Sequence, residues 1–264
     1  MHYVVSDLHG HVDHLVAALR RASLIDADQA WCGGTARLTF LGDYFDRGPD
    51  GIAVVDLIRR LEGEAGATGG RVDALIGNHE VLALGMSRFG DERVPSEFGG
   101  RSSFARSWAL NGGQPSDQHR LTQEHIAWLS GLDAIALTGP DLLLHADTTE
   151  YLRWGDTSDQ INDAVREVLA GDDLGQWWSC FVRLTTRYAF GGRRRCAGGG
   201  GAARATRWRT NRGHSFISTF LGLDSSQVTG PLSYAGGRAL AIDGGIYDGG
   251  PCLVVRLAPD EPAA

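Results

Sequence analysis

Apolar residues in the first third of the chain come in short runs that stop abruptly at polar ones. Tyr3-Val4-Val5 leads to Asp7, the alternating stretch Arg37 to Leu41 ends at Gly42-Asp43, and Val72 to Ile76 ends at Gly77-Asn78. Each run reads as a strand. Between the runs the spacing changes to that of helices. His14 to Arg21 puts Leu15, Ala18 and Leu19 on one face, Ile52 to Leu61 carries Ile52, Val55, Leu57, Ile58 and Leu61, and a third helix is predicted over His79 to Leu84. Strands alternating with helices predict βαβ units, and so an α/β fold. Ligands of such sheets bind beyond the carboxyl ends of the strands, where all three polar stops fall.

The middle of the chain is less regular. Arg88 to Gln118 is polar and Gly-rich around Phe98, Phe104 and Trp108, and reads as a surface excursion beside those stops. A helix is predicted over Thr122 to Leu129, with Thr122 as its cap. Strands Ala134 to Leu137 and Leu142 to Leu144 flank a Gly139-Pro140 turn, and helices follow over Asp159 to Leu169 and Leu174 to Tyr188. Ala239 to Asp243 and Cys252 to Leu257 read as a closing strand pair. Gly191 to Arg212 stands apart, with seven arginines, four consecutive glycines and no acid. Such a composition predicts a flexible, solvated basic loop, with a polyanion-recruiting arm as the alternative. Trp208 to Arg212 makes a poor strand ahead of Gly213-His214. The Arg, Gly and Ala content also fits a local shift of coding frame.

Bulk properties narrow the class only a little. A chain of 264 residues suits one domain, 1–264, with a sizeable core. Its 25 basic residues, all Arg, against 32 acidic ones leave a net charge of −7, which disfavours a nucleic-acid partner. Cys32, Cys180, Cys196 and Cys252 form no C-x-x-C pair and read as free thiols of a reducing compartment. The chain opens in a strand without a leader-like segment, and no apolar run is long enough to cross a bilayer. The expectation is a cytoplasmic protein without a membrane partner.

The polar stops carry the chemistry. Ser6-Asp7-Leu8-His9-Gly10, Gly42-Asp43-Tyr44-Phe45-Asp46-Arg47-Gly48, Gly77-Asn78-His79-Glu80 and His145-Ala146-Asp147 are followed much later by Gly213-His214. Taken singly, Asp-Leu-His could be a capping residue beside a partnered histidine, and Gly-Asn-His-Glu a turn with a helix cap. In this order, each after an apolar run, they offer the carboxylate, amide-oxygen and imidazole ligands that two divalent cations take. Asp7 and His9 would hold one ion, Asp43 would bridge, and Asn78, His145 and His214 would complete the second. Such a pair sits roughly 3.5–4 Å apart and acidifies a shared water, which becomes the nucleophile. His79 is the candidate general acid, oriented by Asp46, and Arg47 offers a fork for phosphate oxygens. The other histidines read as surface or helix residues, and Asp243 and Asp248 as turn residues among glycines.

The motif set resembles the calcineurin-like metallophosphoesterases, and within them the phosphoprotein phosphatase branch. The late motif donates one histidine, Gly213-His214-Ser215-Phe216, where nucleases and cyclic-nucleotide phosphodiesterases of the wider group donate two. Ser6 replaces the usual first glycine. Leu110-Asn111-Gly112-Gly113, His145-Ala146-Asp147 and Ile242-Asp243-Gly244-Gly245 are similar to the bacteriophage-lambda type of small protein phosphatase. The resemblance implies a four-layer αββα sandwich with mixed sheets. It also implies two Mn²⁺ ions, or Fe²⁺/Zn²⁺, and hydrolysis of phosphate monoesters on phosphoserine, phosphothreonine or phosphotyrosine proteins or small phosphoesters. Arg47 and Asn78 would face the phosphate, with a second arginine, Arg183 or Arg187. A symmetrical dinucleoside polyphosphate hydrolase shares the same motifs, and a degenerate, non-catalytic binding protein is the reading from another class.

Overall fold

A computed structural model describes residues 1–98, 100–190 and 209–258 of the chain. Three strands, β1 (His2–Val5), β2 (Arg37–Phe40) and β3 (Arg71–Ala74), pair in parallel. The helices between them are α1 (Val12–Arg21) and α2 (Gly51–Ala67), and α3 (Asn78–Phe89) follows β3. The start of α2 is fixed by Asp50, whose carboxylate accepts from the Ala53 N–H at 2.8 Å. A second sheet is built from β4 (Ile135–Thr138), β5 (Asp141–Leu144), β6 (Arg209–Arg212), β7 (Leu232–Tyr234) and β8 (Ala239–Ala241) in the order β4-β5-β6-β8-β7. Its inner strands β5, β6 and β8 run parallel, with antiparallel β4 and β7 at the edges. The last strand, β9 (Val255–Arg256), returns to the first sheet, antiparallel to β1.

Alternation along the strands makes the layers. Val4 points to a cluster between the sheets with Leu143, Ile242 and Val255, whereas Val5, Leu38 and Phe40 join the core that holds Leu15 and Leu19 of α1 and Val55 and Ile58 of α2. In the second sheet Leu143 faces inward, while Ile135 and Leu144 share the outer core with Ile161 and Val165 of the helix Ser158–Ala170. The result is helix, sheet, sheet, helix, with two mixed sheets. The carboxyl ends of the parallel strands of both sheets meet along one edge.

Three expectations change. Arg88 to Gln118 is not a surface excursion. It holds α4 (Phe104–Leu110) and α5 (Pro115–Arg120), and Phe104 and Trp108, one helical turn apart, are both buried. Phe104 packs against Phe89, Trp177 and Trp178. The closing strands do not pair, since β8 lies in the second sheet and β9 in the first. The poor strand before His214 is a central strand, β6, hydrogen-bonded to both β5 and β8. Its polar side chains find partners on neighbouring strands: Arg209 and Asn211 donate to the two oxygens of Asp141 at 2.8 and 3.0 Å, while Arg209 Nε and Arg212 NH2 are buried without one among the described residues. Satisfied polar groups can be buried in a sheet without an apolar pattern. The rest of the basic stretch, 191–208 with Arg193, Arg194, Arg195, Arg204, Arg207 and Cys196, lies outside the described residues, as does the segment after Ala258.

Candidate metal centre

The loops leaving β1, β2, β3, β5 and β6 lie side by side along that edge. Their backbones are laced together: Asp7 N donates to Gly42 O at 3.1 Å, His9 N to Asp43 O at 2.9 Å, and Gly213 N to His145 O at 3.0 Å. The turns are tight enough to force residues with side chains into the left-handed region. Among the described residues ten non-glycines have positive φ, and six of them are Asp7, His9, Asp43, Asp46, Arg47 and His214, at 42° to 68°. Gly42, at φ 98°, approaches the next loop so closely that a Cβ would lie 2.6 Å from Gly77 N.

Every predicted ligand except Asn78 belongs to one of two buried groups that share Asp43. The ligand atoms of Asp7, Asp43, His145 and His214 lie within 4.8 Å of one another, and so do those of His9, Asp43 and His79. Asn78 joins the first group, with its Oδ1 2.9 Å from His145 Nε2. The sequence paired Asp7 with His9. In the structure the Asp7 carboxylate sits with the late histidines, because His214 N donates to both its oxygens at 3.0 and 2.9 Å.

The tautomers are set by the backbone. His9 Nδ1 donates to Phe45 O at 2.8 Å, His145 Nδ1 to Leu41 O at 2.9 Å and His214 Nε2 to Thr185 O at 3.1 Å. Each ring therefore turns its other, bare nitrogen inward. His145 Nε2 meets His214 Nδ1 at 3.1 Å and Asp43 Oδ1 at 3.3 Å. Lone pairs facing one another at such distances are the donor set of a cation. Burial pushes the His9 pKa well below the usual value and that of His214 to about 4, so both rings are held neutral, the ligating form. Burial also raises the Asp7 pKa, and that of Asp243 goes well above the usual carboxylate range through burial and the charge of Asp7. Among the described residues no arginine pairs with Asp7 or Asp43. Divalent cations would supply the missing positive charge, so the residues present fit a two-metal centre.

Beside these groups stands a His–Asp pair that could hold and pass a proton. His79 Nδ1 lies 2.7 Å from Asp46 Oδ2, both groups buried. Burial opposes the imidazolium, but the charges of Asp43 and Asp46 outweigh it and raise the His79 pKa above its ordinary value. The Arg47 guanidinium spans His9 Nε2 and His79 Nε2, each at 3.0 Å, and lies 4.2 Å over the Tyr247 ring. A cleft of about 70 Å³ opens on Asp7, Asp43, Arg47, Arg187, His214 and Tyr247. Of the two candidate arginines, Arg187 lines this cleft. The Arg183 guanidinium instead lies 5.3 Å over the Trp154 ring.

Two supporting residues escaped the sequence reading. Glu80 accepts from the N–H groups of Asp43, Tyr44 and Gly77 at 2.7–2.8 Å, which clamps two motif loops together. Its place inside Gly-Asn-His-Glu was the available signal. Trp108 Nε1 donates to Asp46 Oδ1 at 2.9 Å, and Arg47 N donates to Gly112 O at 2.7 Å. Nothing in the polar, Gly-rich stretch around Trp108 announced this. Asp243 is a turn residue, as expected, accepting from Gly245 N at 2.9 Å, but it also lines the cleft.

Two mixed sheets with motif loops gathered at one edge around a shared aspartate define a metallophosphoesterase-type fold and site. The family model for calcineurin-like phosphoesterases matches residues 3–191, and the chain belongs to that family. It is 32% identical over 95 residues to Shewanella-like protein phosphatase 2 of Arabidopsis thaliana, a match covering 36% of this chain and 24% of that one. The chain thus spans about a quarter of that curated relative. A cold-active protein tyrosine phosphatase structure shares the fold with a TM-score of 0.70 at 21% identity, covering 95% of this chain and 71% of the other. A protein serine/threonine phosphatase of Saccharomyces cerevisiae gives 0.51 at 14% identity, over 92% and 66%.

Proposed function

We propose that the protein is a two-metal phosphomonoesterase that removes phosphate from phosphorylated protein side chains, with Mn²⁺ as its working metal. The observation that carries this reading is the set of three histidines, each fixed by a backbone carbonyl, whose bare nitrogens converge on Asp43 beside the His79–Asp46 pair. His9, Asp43, Asp7, Asn78, His145 and His214 would hold the ions. When bound, these supply Lewis acidity toward the phosphoryl group and lower the pKa of a water between them. Arg47 and Arg187, which line the cleft, would bind non-bridging phosphate oxygens as forks. As Arg47 turns to the phosphate it releases His79 Nε2, to which its NH2 now points. His79, held at Nδ1 by Asp46, then takes up a proton from solvent at the freed Nε2, which its raised pKa favours, and gives it to the leaving oxygen. A negative chain with no lysine recruits its anionic substrate through these few arginines rather than through its net charge.

The test is metal-stripped protein resupplied with Mn²⁺, Fe²⁺ or Zn²⁺ and offered a phosphopeptide, diadenosine tetraphosphate and a nucleotide phosphodiester side by side. Preferred release of phosphate from the peptide with Mn²⁺ is the expected result. Preferred cleavage of the dinucleotide would replace this reading with a dinucleoside polyphosphate hydrolase. Metal binding without turnover of any substrate would replace it with a non-catalytic binding protein.

A further inference from the structure

Beside the cleft lies a chain of polar groups, two of them buried and joined by the half-buried Tyr234, to which the chemistry above gives no task. Asp147 is fully buried and both its oxygens are used: Oδ1 accepts from Phe190 N at 2.8 Å and Oδ2 from the Tyr234 hydroxyl at 3.0 Å. Its own carbonyl accepts from Ala189 N at 3.0 Å. The Tyr234 hydroxyl in turn accepts from Arg212 Nε at 2.9 Å. Arg212 is also fully buried, with its guanidinium 4.8 Å from the Phe220 ring and 5.1 Å from that of Tyr234. Its NH1 donates at 3.1 Å to both Gly213 O and Ser215 O, the carbonyls on either side of His214.

The hydroxyl is the joint of this chain. Arg212 Nε and Asp147 Oδ2 are 3.9 Å apart, too far to bond directly, so the charge pair is completed through Tyr234. One end holds the segment 186–190, which carries Arg187. The other end holds the turn 213–215, which carries His214. We propose that Tyr234, on the edge strand β7, is a positioning residue: its hydroxyl sets His214 and Arg187 jointly against the cleft. This rests on the reading of His214 as a metal ligand. Without the hydroxyl, the buried guanidinium and carboxylate each lose a partner and must move toward one another. Such a shift of the guanidinium, whose NH2 has no partner among the described residues, changes its hold on the two carbonyls that frame His214. Groups that orient a metal ligand in this way are typically worth about 10–100-fold in metal affinity.

The test is a cycle of Tyr234→Phe, His214→Ala and the double variant, each stripped of metal and titrated calorimetrically with Mn²⁺. Thermal melts and inhibition by inorganic phosphate are recorded alongside. Tyr234→Phe is expected to weaken one Mn²⁺ site about 10–100-fold and leave the other intact. It is expected to weaken phosphate inhibition and to add nothing in the His214→Ala background. Wild-type Mn²⁺ affinity in Tyr234→Phe, or the same further loss with and without His214, would overturn the proposal. Should Tyr234→Phe melt too low to titrate, Asp147→Asn gives the same comparison, because it keeps an acceptor for Phe190 N. Wild-type protein that binds two Mn²⁺ but hydrolyses no phosphoester would refute the enzymatic reading and leave this cycle fully interpretable.

Discussion

Trp108 offers a direct test of how the proposed proton donor, His79, is held. Trp108→Phe removes one hydrogen bond, Nε1–H to Asp46 Oδ1 at 2.9 Å, between two buried groups, and keeps an aromatic ring in the pocket. A hydrogen bond to an ionised carboxylate contributes about 1.5–3 kcal/mol. Asp46 would keep its bond to His79 Nδ1 at 2.7 Å but lose the partner that fixes its other oxygen. If all of that energy is expressed when His79 delivers its proton, the rate falls by about ten- to hundred-fold. The effect must depend on the leaving group. An alkoxide needs the proton, whereas p-nitrophenolate departs without it. Steady-state kinetics on a phosphoserine peptide and on p-nitrophenyl phosphate should show kcat reduced by that factor for the first and by less than about threefold for the second, with KM little changed. Equal losses on both substrates would refute the reasoning and make Trp108 a packing residue only.

Other expectations follow from the same geometry. His79→Asn should retain Mn²⁺ by titration but lose about 10²–10⁴-fold in turnover of alkyl phosphates, the size of a general-acid contribution. Gly213→Ala places a Cβ against the Asp7 carboxylate, so calorimetry should find Mn²⁺ affinity sharply reduced. Burial and the nearby Arg37 lower the His2 pKa to about 4, and His2 Nε2 lies 2.8 Å from Thr39 Oγ1. The unfolded chain takes up a proton near pH 6.5 and the folded one does not, so stability is full above that pH and falls as pH drops from about 6.5 to 4. His2→Gln should flatten that part of the melting-temperature profile, and an unchanged slope would acquit His2.

The first sheet was legible because its strands are buried on both faces and read as apolar runs ending at polar loops. Those loops spelled out Asp7, His9, Asp43, Asp46, Arg47, Asn78 and His79. The second sheet was harder. Strand β6 is Arg-Thr-Asn-Arg, and only Asp141 and Tyr234, far away in sequence, explain how it can be buried. Periodicity cannot register a polar residue whose partner arrives from another strand. Trp108 was hidden for a related reason: its polar, Gly-rich surroundings describe the exposed side of a helix whose other side reaches Asp46. That Arg187 lines the cleft and Arg183 does not needed the end of the helix Leu174–Thr185 in three dimensions, since residues four apart share a face only while the helix lasts.

The six left-handed residues of the centre have a consequence for anyone who tries to toughen this protein. Each costs on the order of 1 kcal/mol relative to glycine in the same conformation. Replacing Asp7, His9, Asp43, Asp46, Arg47 or His214 by glycine would relieve backbone strain at the very positions that give the loops their chemistry. A library selected for heat resistance alone should therefore accumulate glycine or asparagine at these sites and drift toward inert scaffolds. Selection for heat resistance has to be coupled to turnover, or directed to the helical layers, where stability can rise without erasing the cleft.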